Sequence, residues 1–583
     1  MPYPIKYIEN NLVWNIEGEC FAYYELIPFN YSFLSLEQKD AVHDAFRQLI
    51  AQNRDGKIHA LQISTESSIR AAQERSKKSV TGRLKEIACA EIDEQTENLV
   101  ASLGDTQVDY RFFLGFKLVV TDKELSVKEM GKTAKNLLHD AANAIGHSFM
   151  GDFVSMPNDE IRRYIRMEKL MENKLSRRFK VRRLDKNDFG YLLEHIYGRT
   201  GTAYEDFEFT LPLKKRKRDT LVKKYDLIKP ARCLIEEKQR YLHMKSEDSE
   251  SYVAYFTISD VVGELDFPSS EIFYYQEQQF DFAIDTSMNV EIITNKAALH
   301  TVRNKKKELK DLDNHAWENN SETTNQVAEA LDSVDELESV LDQSKESMYK
   351  LSYVVRVTAP DVEELKRRCN QVRDFYDDAS IKLVRPIGDM MGLHNEFIPS
   401  SKRYMNDYVQ YVTSDFLAGL GFGATQMLGE RDGIYLGYNV DTDQNVYVQP
   451  ARAAQGVKGS VTNALSGAFL GSLGGGKSLS FNLLTYYAVL NGAQALILDP
   501  KSERGQWKEK LPEIADEINI VNLTSDEENK GMLDPYIIMR KTKDAESLAL
   551  DVLTFLTGIS SRDGKLFPVL RRAVRAVPNS EMR

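Results

Sequence analysis

Cysteine is scarce in this sequence. Its four copies, Cys20, Cys89, Cys233 and Cys369, lie far apart and form no C-x-x-C pair. That excludes a disulfide framework of short loops and a cysteine-based zinc site, and it suits a reducing compartment. The nine histidines show no metal-ligand spacing either. Positive charge is in deficit, with a net charge of −12 and a pI near 5.5. A protein that coats nucleic acid with its whole surface would be basic, so any DNA contact here is local. The opening Met1-Pro2-Tyr3-Pro4-Ile5-Lys6 has no apolar core of the signal-peptide kind, so no signal peptide is expected. Long hydrophobic runs are missing too, with one exception: Ser478 to Leu498 carries no charge over 21 residues. That length can span a bilayer, but Asn491-Gly492 interrupts it, and the residues before it point elsewhere.

Those residues are Gly471-Ser472-Leu473-Gly474-Gly475-Gly476-Lys477-Ser478, which fit the phosphate-loop pattern G-x-x-x-x-G-K-[ST] at every fixed position. The chemistry calls for these residue types. Gly471, Gly474 and Gly476 are expected to let the backbone turn through positive φ and approach phosphate closely. The loop's N–H groups form an anion-binding concavity at a helix N-terminus. Lys477 is expected to reach the β- and γ-phosphates of ATP, and the Ser478 hydroxyl to complete a Mg²⁺ shell. Gly471 through Leu479 are therefore the candidate nucleotide ligands. The apolar run ending at Ala468-Phe469-Leu470 is expected to be a buried strand. Leu479, Phe481, Leu483, Leu484, Tyr487 and Leu490 predict a largely buried helix, stopped by Asn491-Gly492. Ala493 to Leu498 then reads as a second buried parallel strand, ending at Asp499-Pro500.

At 583 residues, with 42% hydrophobic and 28% charged, the chain has room for three or four domains with sizeable cores. The order of elements implies four stretches, at 1–155, 156–294, 295–415 and 416–583. The first opens with a β-hairpin, Leu12–Ile16 and Cys20–Leu26, turning at Gly18. Ser35 can cap a helix over 36–52. A strand at 57–64, charged helical sequence over 66–103, a strand at 111–120 and a helix at 123–146 complete an α+β pattern. Between 231 and 294 short alternating runs predict an antiparallel sheet. Residues 295–349 read as two helices separated near Asn319-Asn320-Ser321. Val327, Val334, Leu341 and Met348 recur every seven residues, with Leu331 and Leu337 between, a seam suited to a helical hairpin or to a short intermolecular coiled coil. Asp361 and Glu364 predict the start of a helix between strands at 353–357 and 381–385. Gly433–Gly437 and Asn445–Val448 read as a hairpin laid beside the core, ahead of the phosphate loop. Two basic stretches stand out, Ile161 to Lys186 and Lys214-Lys215-Arg216-Lys217-Arg218. Each is either a contact for nucleic acid or anionic lipid headgroups, or a solvated surface.

This order of parts resembles the conjugation ATPases of type IV secretion systems, the TraC/ConE (VirB-four) class of HerA/FtsK-like motors. It is most like the branch carried by conjugative elements of Gram-positive bacteria. The likeness rests on three passages. One is Ile5-Lys6-Tyr7-Ile8 with Asn11-Leu12-Val13 and Ala22-Tyr23-Tyr24. The second is the helical pair followed by Val354–Val357 and the Asp361 helix. The third is Asp432–Gly437, the phosphate loop, and Leu496-Ile497-Leu498-Asp499-Pro500-Lys501-Ser502-Glu503. The resemblance implies an N-terminal α+β docking region and a C-terminal RecA-like P-loop core. It implies ATP and Mg²⁺, homo-oligomers, and a peripheral position at the cytoplasmic face of the membrane. The implied partners are membrane channel proteins of a conjugation apparatus, with contact to DNA or to a coupling protein. One part of the family pattern is not found. Residues 502–583 contain no apolar strand ending in Asp-Glu: Ile518–Asn522 lacks the acids, and Leu548–Leu556, which holds Asp551, reads as a helix. Asp499 is the remaining candidate catalytic acid beside Lys477, and its other reading is a turn residue before Pro500. The expectation is a motor core incomplete at its C-terminal end, in which ATP binding is better supported than hydrolysis.

Overall fold

A computed structural model describes residues 3–53, 56–119, 158–198, 207–208, 222–223, 233–246, 249–261, 267–318, 325–442, 444–452, 454, 466–522 and 531–577. The expected helix at 123–146, the cluster Lys214–Arg218 and the break at Asn319–Ser321 lie outside the described residues. The chain forms two compact units, Met1–Gln494 and Ala495–Arg583.

The first unit is built on a 14-stranded sheet. Its early strands are β1 (Ile5–Glu9), β2 (Leu12–Asn15) and β3 (Cys20–Leu26), while the short β4 (Phe29–Asn30) stands apart. Next come β5 (Lys57–Ser68), β6 (Thr106–Lys117), β7 (Val181–Arg183) and β8 (Val222–Lys223). They are followed by β9 (Leu234–Glu237), β10 (Leu242–Lys245), β11 (Glu250–Val261) and β12 (Ile284–Ile293), then β13 (Met348–Ala359), β14 (Ile381–Val384) and β15 (Gln410–Val412). The lateral order is β8-β1-β2-β3-β6-β5-β12-β13-β11-β10-β9, with β7 on β3, β14 on β11 and β15 on β13. The sheet takes strands from all three stretches expected before residue 416, so those stretches do not hold separate sheets. The reason is β12, which pairs with β5 on one side and with β13 on the other, both antiparallel.

Period-two alternation gives the sheet two buried faces. Phe112 and Leu114 of β6, Ala60 of β5 and Tyr353 and Val355 of β13 face the helices Leu36–Ala51, Asn158–Ser176, Ile272–Gln279 and Val362–Asp378. The intervening Phe113, Leu61 and Val354 face the helix Lys186–Tyr197 and the segment around Met390–Ile398. Local signals behave as the sequence implied. β2 and β3 form the hairpin, with Gly18 at φ +82°. Ser35 caps its helix and exchanges hydrogen bonds with Gln38 in a capping box. Asp361 accepts from the Glu364 amide at 2.9 Å. One stretch differs. Residues 66–103 are not continuously helical: β5 runs on to Ser68, and the helices Ile69–Ser79 and Lys85–Leu103 part around Gly82, which sits at φ +95°.

The topology contains an internal repeat. β3, a helix, β5, a helical pair, β6 and β7 have the same order and pairing as β11, a helix, β12, a helical pair, β13 and β14. In each half the two long strands flanking the helical pair lie side by side, and the last strand returns to pair with the first. The two halves meet at β5 and β12. The second helical pair is the hairpin Asn295–Glu318 and Asn325–Ser344. Ala298, Leu299 and Val302 pack against Val334, Leu337 and Leu341, and Lys306 bridges Asp335 and Glu338 at 2.7 and 2.9 Å. Met348, expected in the helical seam, instead opens β13 and reaches the same cluster from there.

Candidate functional site

The nucleotide loop is reached through a small hairpin, β17 (Ile434–Tyr438) and β18 (Asn445–Val448), where the sequence placed it. It follows the two-residue β16 (Ala424–Thr425), which pairs with β4. The hairpin is fastened to the first helical pair and to β6. The Gly433 amide donates to Ser76 Oγ at 2.8 Å, and Gln444 Nε2 donates to the Val108 carbonyl at 3.0 Å.

Gly471 to Lys477 forms an exposed loop that wraps the Lys477 side chain. Its ammonium donates to the carbonyls of Gly471 at 2.9 Å and Ser472 at 2.6 Å. Gly474 and Gly476 hold φ of +79° and +78°, the left-handed region that glycine tolerates. Gly471 is not in that region, contrary to expectation. Its role is clearance, since a Cβ there would sit 3.3 Å from Lys477 Cγ. The helix Lys477–Leu490 starts at Gly476 without a side-chain cap. Its first N–H groups are thus left for an anion, which the helix dipole favours. These features fit a phosphate: a left-handed glycine cradle, uncapped helix donors and a lysine held at the loop by carbonyls. Ser478 stands exposed in the first helical turn, beside the cradle. Among the described residues no group of three His, Cys, Asp or Glu side chains could hold a metal. A Mg²⁺ brought by a nucleotide is carried mainly by phosphates and water, to which Ser478 would add one oxygen.

The flanking strands are corrected. Residues 466–470 and 493–498 pair with no described strand, and Leu470, Leu496 and Leu498 are 91%, 90% and 85% exposed. The helix between them buries only Leu490, while Leu479, Phe481 and Leu483 are exposed. A buried parallel strand needs hydrogen-bonded neighbours and a helix over its face. Among the described residues none flanks either segment. No helix of the described residues is long and apolar enough to cross a membrane.

What the sequence did not reveal is the seat of this helix. Asn491 and Gly492 stop it as expected, with Gly492 at φ +97°. There the backbone presses on the turn between the first pair of helices, and a Cβ on Gly492 would lie 2.6 Å from the Thr81 carbonyl oxygen. Tyr487, Leu490 and Asn491 line a small cavity with Ala88, Ile92 and Tyr435. One end of the helix therefore carries the phosphate loop, and the other is anchored on the N-terminal half-sheet's helices, about 20 Å away at 1.5 Å per residue. Gly492→Val should lower unfolding stability by about 2–3 kcal/mol, because it combines a strained φ with a backbone clash. Gly437→Ala is the control, since its Cβ would meet nothing within 4 Å. Equal urea midpoints for the two variants would refute the seat.

The second unit holds the other candidate catalytic residue. Asp499 accepts from the amides of Arg504 at 2.8 Å and Lys501 at 3.3 Å, and pairs with the Arg504 guanidinium at 3.3 Å. These hydrogen bonds, the Arg504 amide first, hold its carboxyl below the ordinary value. A carboxylate so held is a weak base and serves as the hub of its own turn. The remaining elements are helical. They include Thr542–Thr557, which carries Asp551, and Leu566–Ala576; Tyr536 Oη donates to the Val574 carbonyl at 2.6 Å. Ile518–Asn522 is not a strand.

Comparison with known proteins agrees with the loop. Residues 444–583 match the family model of an AAA-like domain. The chain is also similar to the uncharacterized protein YddE of Bacillus subtilis (strain 168). The two are 20% identical over 576 residues, covering 93% of this chain and 67% of that protein. The C-terminal part thus carries a phosphate-loop sequence motif inside a region similar to an AAA-like domain.

Proposed function

We propose that the chain binds Mg²⁺-ATP at Gly471–Leu479 and works as the motor component of a conjugative DNA-transfer or type IV secretion machine. The observation that supports this best is the left-handed glycine cradle around Lys477, set at an uncapped helix N-terminus within the AAA-like match. Bound ATP would supply the phosphoanhydride whose cleavage powers the machine. Lys477 would exchange its two loop carbonyls for phosphate oxygens, and the loop amides would neutralise the remaining charge. The core around the loop is RecA-like in this reading. The large N-terminal sheet docks on membrane channel proteins, homo-oligomers form, and DNA or a coupling protein is contacted during transfer. The anchored helix passes changes at the loop to the docking unit. A second reading has the chain as a docking protein that binds nucleotide without cleaving it. It is favoured by Asp499, whose carboxylate is committed to Arg504 and its own turn.

Titration of the 583-residue chain with a fluorescent ATP analogue, with and without Mg²⁺, tests the common core of both readings. Lys477→Ala should weaken binding by at least about tenfold, the scale of a lost charge-assisted contact. Unchanged affinity would refute the site. Turnover measured on the same samples separates a motor from a docking protein.

A further inference from the structure

The basic stretch from Ile161 to Lys186 has a definite shape. It begins as the amphipathic helix Asn158–Ser176, whose inner face packs Ile161, Tyr164, Ile165 and Leu175 against the sheet. The outward residues Arg162, Arg166, Lys169 and Asn173 recur at spacings of four, three and four, so they share one face. Arg177 and Arg178 extend it, both exposed. The acids of this helix's inner half are already committed. Glu168 and Glu172 both pair with Arg183, at 2.8 and 2.7 Å. Arg166, Lys169, Arg177 and Arg178 make no ion pair with any described residue. Crowding of like charge is evident at Lys174, whose ammonium is held below its ordinary value by burial first and then by Arg178. Arg166, Lys169, Arg177 and Arg178, exposed and without an ion pair to any described residue, sit on a chain of net charge −12 and are complementary to a polyanion.

Two details choose among polyanions. The aromatic rings of the segment face inward: Tyr164 stands edge-on to Trp14 at 5.7 Å, and Phe179 lies 4.4 Å from Phe46. Nothing is left to stack on a base, as single-stranded nucleic acid requires. Among the cations sits Leu170, 63% exposed. A phosphate backbone has no use for it, but the boundary between headgroups and acyl chains does.

We propose that the outer face of helix Asn158–Ser176, with Arg177 and Arg178, lies on a bilayer rich in anionic phospholipid. Cations there meet headgroup phosphates, and Leu170 enters the apolar boundary. The inference gives a surface to the membrane-proximal position proposed above. It does not draw on the nucleotide site, and vesicles free of protein test it separately from the ATP titration.

The full chain is sedimented with phosphatidylcholine vesicles, with and without phosphatidylglycerol. Binding should require phosphatidylglycerol and fall by at least about tenfold in Arg166→Glu/Lys169→Glu. Leu170→Ala should release the fraction that resists raised salt. Both variants alter exposed side chains, so circular dichroism and the melting midpoint should stay as in the parent. Equal binding to both vesicle types, no binding to either, or binding unaffected by the charge reversal would overturn the proposal. So would a charge-reversed variant that loses a duplex oligonucleotide while keeping the vesicles, which would assign the face to nucleic acid.

Discussion

Asp285→Ala is expected to destabilise the first unit by about 3–5 kcal/mol, the cost of leaving a buried charge without its partner. Asp285 sits in β12, where the two half-sheets meet, and is 3% exposed. Its Oδ1 accepts from the Ser64 amide at 2.7 Å and from Ser64 Oγ at 2.6 Å, which ties β12 to β5. Its Oδ2 lies 3.0 Å from His195 Nε2 and 3.2 Å from Arg356 Nη1. Burial alone would raise this carboxyl. His195, then Arg356 and Ser64, outweigh it and hold the group well below the usual carboxylate range. With a depressed folded value, the contribution is present above the unfolded pKa near 3.9 and is lost as pH falls toward the folded one. Arg356 is 1% exposed, so in Asp285→Ala its guanidinium keeps the His195 carbonyl, at 3.1 Å, but loses its carboxylate partner. The double variant Asp285→Leu/Arg356→Met should lose less stability than the sum of the losses in Asp285→Leu and Arg356→Met alone, since no lone charge remains. Urea unfolding of the four proteins measures the coupling. Additive losses would show that the pair is not a unit.

This cluster also marks the limit of what sequence pattern conveys. Turns and caps are local, and they were legible: the hairpin at Gly18, the Ser35 and Asp361 caps, the hairpin at 434–448, and the helix Lys477–Leu490 with its stop at Asn491. The sheet's continuity was not, because it depends on β5 meeting β12 across more than two hundred residues, and alternation says only that a strand has a buried face. Polar residues on that seam, such as Gln62, Ser64, Asp285 and Ser287, make the central strands look half-exposed, although each is buried. One signal was available. Arg356 interrupts the valine run Val354-Val355-Arg356-Val357, and a charge in a central strand needs a partner. At the nucleotide site the motif and the helix start after Gly476 were readable, because the chemistry fixes both residue types and spacing, whereas the conformation of Gly471 was not. Burial of its flanking strands was overstated for the opposite reason. Apolar sequence shows what a segment can bury, not whether neighbours are present to cover it.

Glu277 should impose the opposite pH dependence from Asp285. It lies on the helix Ile272–Gln279, 8% exposed, and accepts from the Gln426 amide at 2.8 Å. Burial pushes its carboxyl up to about 8; the Gln426 amide lowers it and the charge of Asp109 raises it. Between the unfolded value near 4.3 and the folded one, the native chain holds a proton that the unfolded chain has released. Stability from this group therefore falls as pH rises through that window, by about 3 kcal/mol between pH 5 and pH 8. Glu277→Gln keeps an acceptor for the Gln426 amide and removes the titration. The variant should gain on the parent by that amount over the same interval, with little difference at pH 5. Gln426 leads into the segment that carries the β17–β18 hairpin, so loosening there should also reach the support of the nucleotide loop. Paired urea curves at the two pH values decide the matter: a difference between variant and parent that ignores pH would mean that Glu277 is ionised in the folded chain across the whole range.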